Sequence, residues 1–131
     1  MLPEGKKTFI KDDVIRNINQ SKGTQEFKSI FNHNIFDYPK PSSLIIELLK
    51  LQSKKNAVIL DFFAGSETTG QATMELNRED NGSRRFILAT NNKMEGYNTE
   101  ANPEYGIARA VTRERLFRVI NGKGSNGEEI K

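Results

Sequence analysis

The sequence contains no cysteine, a single histidine and only four prolines, no two of them adjacent. The lack of cysteine removes disulfides, thiolate metal ligands and thiol nucleophiles together. One histidine, His33 in the polar stretch Phe31-Asn32-His33-Asn34, leaves no ligand set for zinc, and no metal site is expected. His33 itself reads as an exposed loop residue. No apolar run approaches the roughly 20 residues of a membrane span, and Met1 to Ile10 lacks the apolar stretch of a secretory signal. A cytoplasmic protein without a membrane partner is the resulting expectation. The glycine fingerprint G-x-G-x-x-G of dinucleotide sites is also absent from the stretch Asp61 to Gly70.

What remains is a chain of 131 residues, enough for one domain with a core and too few for two ordinary ones. Hydrophobic residues make up 35% and charged residues 28%, a soluble, globular balance. The net charge of +3 fits a nucleic-acid partner without establishing one.

Residues 1–34 form a lead-in of loop with one short strand or turn, closed by a helix from Thr24 to Phe31 with Phe27, Ile30 and Phe31 on one face. Pro39 and Pro41 bracket Lys40 and hold that stretch extended. Ser42 or Ser43 then caps a helix whose apolar face is Leu44, Ile45, Leu48, Leu49 and Leu51. Ala57 to Leu60 and Arg85 to Thr90 read as strands buried on both faces. A helix between them starts at Ser66 to Thr68 and runs to about Asn77. This strand–helix–strand order predicts a βαβ unit with a parallel sheet. Asn91 to Pro103 reads as a polar loop. Helix returns from Glu104, with Ile107 and Val111 one turn apart and Thr112 capping a last turn that carries Leu116, Val119 and Ile120. Residues 35–120 thus form the core of a single domain, and 121–131 read as a flexible tail rich in glycine, asparagine and charge.

Chemistry concentrates at the end of the first strand. Ligands of open parallel sheets bind beyond the carboxyl ends of the strands, and Asp61 and the turn after it occupy that place. Gly65 permits a backbone shape or a close approach that a Cβ would block. The helix opening behind it presents unpaired N–H groups. Such a turn suits a small molecule carrying an amine and a carboxylate, or is a tight connection with no ligand. A phosphate loop is excluded by spacing: Gly65 and Gly70 fit G-x-x-x-x-G, but Gln71 and Ala72 stand where lysine and a hydroxyl residue are needed.

Asp61-Phe62-Phe63-Ala64-Gly65-Ser66-Glu67-Thr68-Thr69 resembles the motif D-F-F-A-G-S-G-T-T of amino-methylating DNA methyltransferases. Phe36-Asp37-Tyr38-Pro39-Lys40-Pro41 with Leu44-Ile45 resembles the F-D-x-P-K-P-x-x-L-I segment of one branch, the modification subunits of type III restriction–modification systems. Met74 to Asn77, Phe86 to Asn92, and Val111-Thr112-x-x-Arg115-Leu116 resemble its following segments, so the likeness spans roughly residues 10–122. The resemblance implies a partial three-layer, Rossmann-like α/β fold that binds S-adenosylmethionine. It assigns cofactor contacts to Asp37, Pro39, Lys40, Pro41, Asp61, Phe62, Phe63, Ala64, Gly65, Ser66, Thr68 and Thr69. Asn91 and Asn92 fall where ribose hydroxyls are usually held, or simply form a turn. Phe62 and Phe63 either touch an aromatic base or pack at the strand end.

Two departures stand out. Glu67 replaces the family's glycine. In a first helical turn a glutamate gains roughly 0.3–1 kcal/mol, but at positive φ it costs on the order of 1–2 kcal/mol. Its charge would also oppose the cofactor's carboxylate, so weak cofactor binding is expected. Secondly, the family's Asp/Asn-Pro-Pro-Tyr/Phe/Trp motif, which holds the flipped base, is absent, because the chain has no Pro-Pro pair. No catalytic residue is therefore assigned. The resemblance implies the C-terminal part of an adenine-specific DNA methyltransferase, with double-stranded DNA and a restriction subunit as partners of the parent protein. The alternative is an assembly module that has lost its cofactor through Glu67. The isolated chain is expected to self-associate through an uncovered sheet edge. Arg109, Arg113, Arg115 and Arg118 read as a solvated helix face or as phosphate contacts, and Lys54, Lys55, Arg84 and Arg85 as surface charge.

Overall fold

The computed structural model describes residues 18–32, 35–92, 106–124 and 126–130. His33, the first 17 residues and most of the loop after Asn92 lie outside the described residues.

Helix α1 (Ser21–Phe31) begins before Thr24, because the Asn19 side chain accepts the Ser21 N–H at 3.0 Å. It ends at Asn32, whose left-handed backbone returns an N–H to the Lys28 carbonyl at 2.7 Å. Phe27, Ile30 and Phe31 are buried on one face, as their spacing predicts. Helix α2 (Ser42–Gln52) follows the extended backbone of Pro41. No serine caps it with its own side chain. The Ser42 N–H and hydroxyl instead donate to the Glu26 carboxylate of α1, at 2.9 and 3.2 Å. Of its expected apolar face only Leu49 is buried, and Leu48 and Leu51 are exposed.

Strand β1 (Val58–Asp61), helix α3 (Thr68–Asp80) and strand β2 (Arg85–Leu88) form the βαβ unit, with the strands parallel and Val58 opposite Arg85. The α/β class thus stands, and among the described residues the sheet has two strands, which does not by itself show three layers. The reading of strands buried on both faces is corrected as well. Val58, Leu60 and Ile87 share one face and are each about half exposed, because no helix of the described chain covers that side. Arg84 is also no surface charge. It follows the left-handed turn at Asn81, folds back on α3, and is buried by Asp80 at 2.9 and 3.0 Å, Asn77 and the Ser53 hydroxyl.

A π-helical segment (Ala108–Arg113) runs directly into α4 (Glu114–Asn121). Thr112 therefore caps nothing, and its hydroxyl donates to the Gly65 carbonyl at 2.6 Å. The main core lies between α1 and this last helix: Phe27, Ile30, Phe31, Ile107, Ala110 and Val111, with Phe27 stacked on Phe31 at 4.4 Å between centroids. Beyond Gly122, where a flexible tail was expected, Lys123 bridges Glu129 and Ile130 packs against that core.

Candidate functional site

Two segments distant in sequence meet at the carboxyl end of β1. One is the irregular stretch Phe36 to Pro41. It is pinned from behind by α1, where Gly23 lies so close that a Cβ would stand 2.1 Å from the Pro39 carbonyl oxygen. Pro39 and Pro41 are buried against that helix, which leaves Lys40 projecting. Tyr38 has φ +55°, a conformation that L residues seldom adopt and that concentrates at functional sites.

The second segment is the turn from Asp61 to Thr69. Both oxygens of Asp61 organise it: one accepts the Phe63 N–H at 2.8 Å, the other the Thr69 hydroxyl at 2.5 Å. The Ala64 N–H donates to the Ala89 carbonyl after β2, and the Glu67 N–H to the Ala64 carbonyl. Gly65 at φ +47° is where the backbone reverses, with the Phe36 ring 3.3 Å from where a Cβ would stand. The two segments are fastened together by the Thr68 hydroxyl, which donates to the Lys40 carbonyl at 3.0 Å.

Between them lies an open cavity of about 360 Å³, lined by Phe36, Asp37, Tyr38, Lys40, Ile45, Asp61, Phe63, Ala64, Gly65, Ser66, Thr68 and Thr69. Its size falls within the roughly 300–1,000 Å³ of small-molecule sites. Nine sequence-expected residues therefore converge: Asp37, Lys40, Asp61, Phe63, Ala64, Gly65, Ser66, Thr68 and Thr69. Pro39 and Pro41 stand behind the cavity wall, and Phe62 is exposed without lining it. Neither Phe62 nor Phe63 packs at the strand end; Phe63 is 92% exposed at the mouth. Asn91 and Asn92 also lie off the lining, and the Asn92 side-chain oxygen accepts the Ala108 N–H at 3.1 Å, which ties β2 to the last helix. Phe36, Tyr38 and Ile45 are lining residues that the sequence reading missed. An aromatic pair flanking an acid before a proline run was the available signal.

Chemically, the cavity offers two carboxylates and a lysine ammonium among aromatic walls. That set suits a zwitterionic ligand with an attached flat ring: Asp37 and Asp61 match an amine, Lys40 a carboxylate, Phe36, Tyr38 and Phe63 a ring face.

Glu67 departs from expectation. Its φ of +70° confirms the strained backbone, but its side chain is fully buried and does not line the cavity. It turns inward, towards Gly70 and Arg115 of α4. Burial dominates its ionisation and pushes the carboxyl up to about 8. The Arg115 guanidinium and the Gly70 and Gln71 amides pull the other way, without closing a hydrogen bond of good geometry. At pH 7 the group is mostly protonated, so the charge thought to repel a carboxylate ligand is largely absent.

Arg115 is the second correction. It is wholly buried rather than part of a solvated face, and Arg118 lies over the Phe31 ring while pairing with Glu114 at 2.7 Å. Arg109 and Arg113 are exposed. Among the described residues no group of three metal-ligating side chains occurs, and no helix is long and apolar enough to cross a membrane.

Comparison with known proteins agrees with this geometry. The chain is 43% identical over 109 residues to the Mod subunit of the type III restriction-modification enzyme StyLTI of Salmonella typhimurium, covering 82% of this chain and 16% of that protein. It is 46% identical over 101 residues to the EcoPI Mod subunit of Escherichia phage P1, covering 76% and 16%. The type II methyltransferase M.KpnI of Klebsiella pneumoniae shares 44% over 71 residues, 54% of this chain and 17% of that enzyme. The chain thus spans about a sixth of the length of these relatives. The family described as DNA methylase matches residues 4–106, which include both segments of the cavity, and the chain belongs to that family.

Proposed function

We propose that this chain supplies the S-adenosylmethionine site of a DNA methyltransferase that modifies the exocyclic amine of adenine, as part of a cytoplasmic restriction–modification system. The observation that carries the reading is the convergence of Phe36–Lys40 and Asp61–Thr69 on one cavity, locked by the Thr68–Lys40 hydrogen bond. When bound, the cofactor supplies an electrophilic methyl group. The chain's residues bind and orient it. Asp37 and Asp61 would hold its ammonium, Lys40 would offer a counter-charge to its carboxylate, and the open aromatic mouth would receive its flat ring. The Pro-Pro motif that would hold the base is not in this sequence, so the chain by itself is expected to bind cofactor without methylating DNA. DNA and a restriction subunit would engage the parent protein, as the names of the Mod relatives suggest.

The competing reading, a remnant whose cofactor is lost through Glu67, is weakened by the inward, mostly protonated carboxyl. Calorimetric titration of S-adenosylmethionine into the chain tests the choice. Saturable binding that weakens at least about tenfold in Asp61→Ala, the loss of one charged hydrogen-bonding group, is the expected result. No heat from wild type at millimolar ligand would remove the cofactor reading.

A further inference from the structure

The turn that floors the cavity is gripped from behind by a side chain that never reaches the cavity. Arg115 Nε donates to the Gln71 side-chain oxygen at 2.8 Å. One terminal nitrogen donates to the Ser66 carbonyl at 3.0 Å and the Thr68 hydroxyl at 3.2 Å. The other lies 3.8 Å from the Glu26 carboxylate, and the guanidinium sits over the Phe27 ring. One turn earlier in the same helix, Thr112 holds the Gly65 carbonyl.

Two consecutive carbonyls, of Gly65 and Ser66, are therefore drawn towards the last helix. In a trans peptide the next N–H points the opposite way. Fixing the Gly65 carbonyl turns the Ser66 N–H away from that helix. Fixing the Ser66 carbonyl aims the Glu67 N–H at the Ala64 carbonyl, its observed partner. The same network reaches the other cavity segment through Thr68 to Lys40, and the start of α2 directly after that segment through Glu26 to Ser42. A buried guanidinium is costly unless its donors are matched; Nε and one terminal nitrogen of Arg115 are matched, while the nitrogen facing Glu26 closes no hydrogen bond. Simple filling of the space would be served by an apolar side chain, and Arg115 instead addresses the backbone of the turn.

We propose that Arg115, assisted by Thr112, is a positioning residue that sets the peptide planes of the Gly65–Glu67 turn and thereby the affinity of the cofactor. The inference rests on the cavity being the S-adenosylmethionine site. It makes the last helix, which contributes nothing to the cavity lining, part of the binding apparatus.

The test compares the wild-type chain with Thr112→Val, Arg115→Lys and Arg115→Met, and with Ile30→Val as a packing control. Each is measured for S-adenosylmethionine affinity, urea midpoint, and amide hydrogen exchange of Gly65 to Thr69 without ligand. Thr112→Val and Arg115→Met should weaken binding by about tenfold or more and speed exchange in the turn. Arg115→Lys should recover part of the loss. Ile30→Val should lower stability while binding as wild type. If Arg115→Met does not fold, Thr112→Val carries the decision. Unchanged affinity in Thr112→Val and Arg115→Lys, alongside lowered stability, overturns the proposal. If wild type itself takes up no ligand, the cofactor reading fails separately, and the exchange data decide whether the turn is held: unchanged protection in Thr112→Val overturns that as well.

Discussion

An arginine at position 115 is wholly buried, and a leucine at position 60 is half exposed. The two residues mark two differently finished regions. Around Arg115, the turn after β1 and side chains of α1 and α3 set a carbonyl, a ring, a carboxylate and an amide oxygen about the guanidinium, with one terminal nitrogen left without a hydrogen bond. Around Leu60, Val58 and Ile87 there is a flat apolar face with no described element against it. Burial in this chain follows which elements are present to meet a side chain rather than how polar that side chain is. The helical side is a closed core. The sheet side is left uncovered among the described residues.

The contrast can be sharpened first at Glu67, the least comfortable member of the closed region. Its carboxyl has an ordinary value of 4.5 and is raised to about 8 in the fold. The folded chain holds this proton more tightly than the unfolded chain, so the group favours folding most at low pH. Stability is lost as pH rises from about 4.5 to about 8. Glu67→Gln should remove that slope, matching wild type near pH 5 and exceeding it at pH 9 by on the order of 4 kcal/mol. Urea unfolding at the two pH values measures this, and parallel curves for the two proteins would contradict it. Asp61, the nearby acid, adds to the upward push, and Arg115 opposes it.

A smaller effect is expected where α1 meets the cavity wall. Gly23→Ala forces a Cβ against the Pro39 carbonyl and should cost about 1–3 kcal/mol, as overpacking does. It should also loosen ligand binding, because Lys40 is carried by that wall. A neutral result in thermal unfolding would show that the wall yields freely.

The smallest change in stability belongs to the open region. Leu60→Lys should alter stability by no more than about 0.5 kcal/mol, yet lower self-association of the chain. Light scattering across a concentration series checks this. A wild-type chain that stays monomeric at high concentration would mean that the exposed face is not adhesive.

The sequence made the front of the site legible and hid its back. Asp61, Gly65, Thr68 and Thr69 lie within nine consecutive residues, and strand end, glycine turn and helix start are local signals. The βαβ unit was legible for the same reason, since a short apolar run and a turn need no distant partner to be recognised. Arg115 was misread because its hydrogen-bond partners lie 44 to 49 positions away, and a charged residue in a charged run looks solvated. Glu26 was overlooked altogether, since its use, capping a helix 16 positions later, leaves no periodic trace. The exposure of Val58, Leu60 and Ile87 escaped the reading because apolar runs report what a strand can bury, not whether a neighbour is present.

Glu67 also connects the fold to the solution around it. Between roughly pH 4.5 and 8 the unfolded chain has released a proton that the folded chain retains. Unfolding in this range hands that proton to the buffer, so the measured heat of unfolding includes the buffer's own heat of protonation. The same chain should therefore give different apparent enthalpies in phosphate and in Tris at pH 7, and the difference, divided by the difference in buffer heats, counts the proton that Glu67 carries into the folded interior.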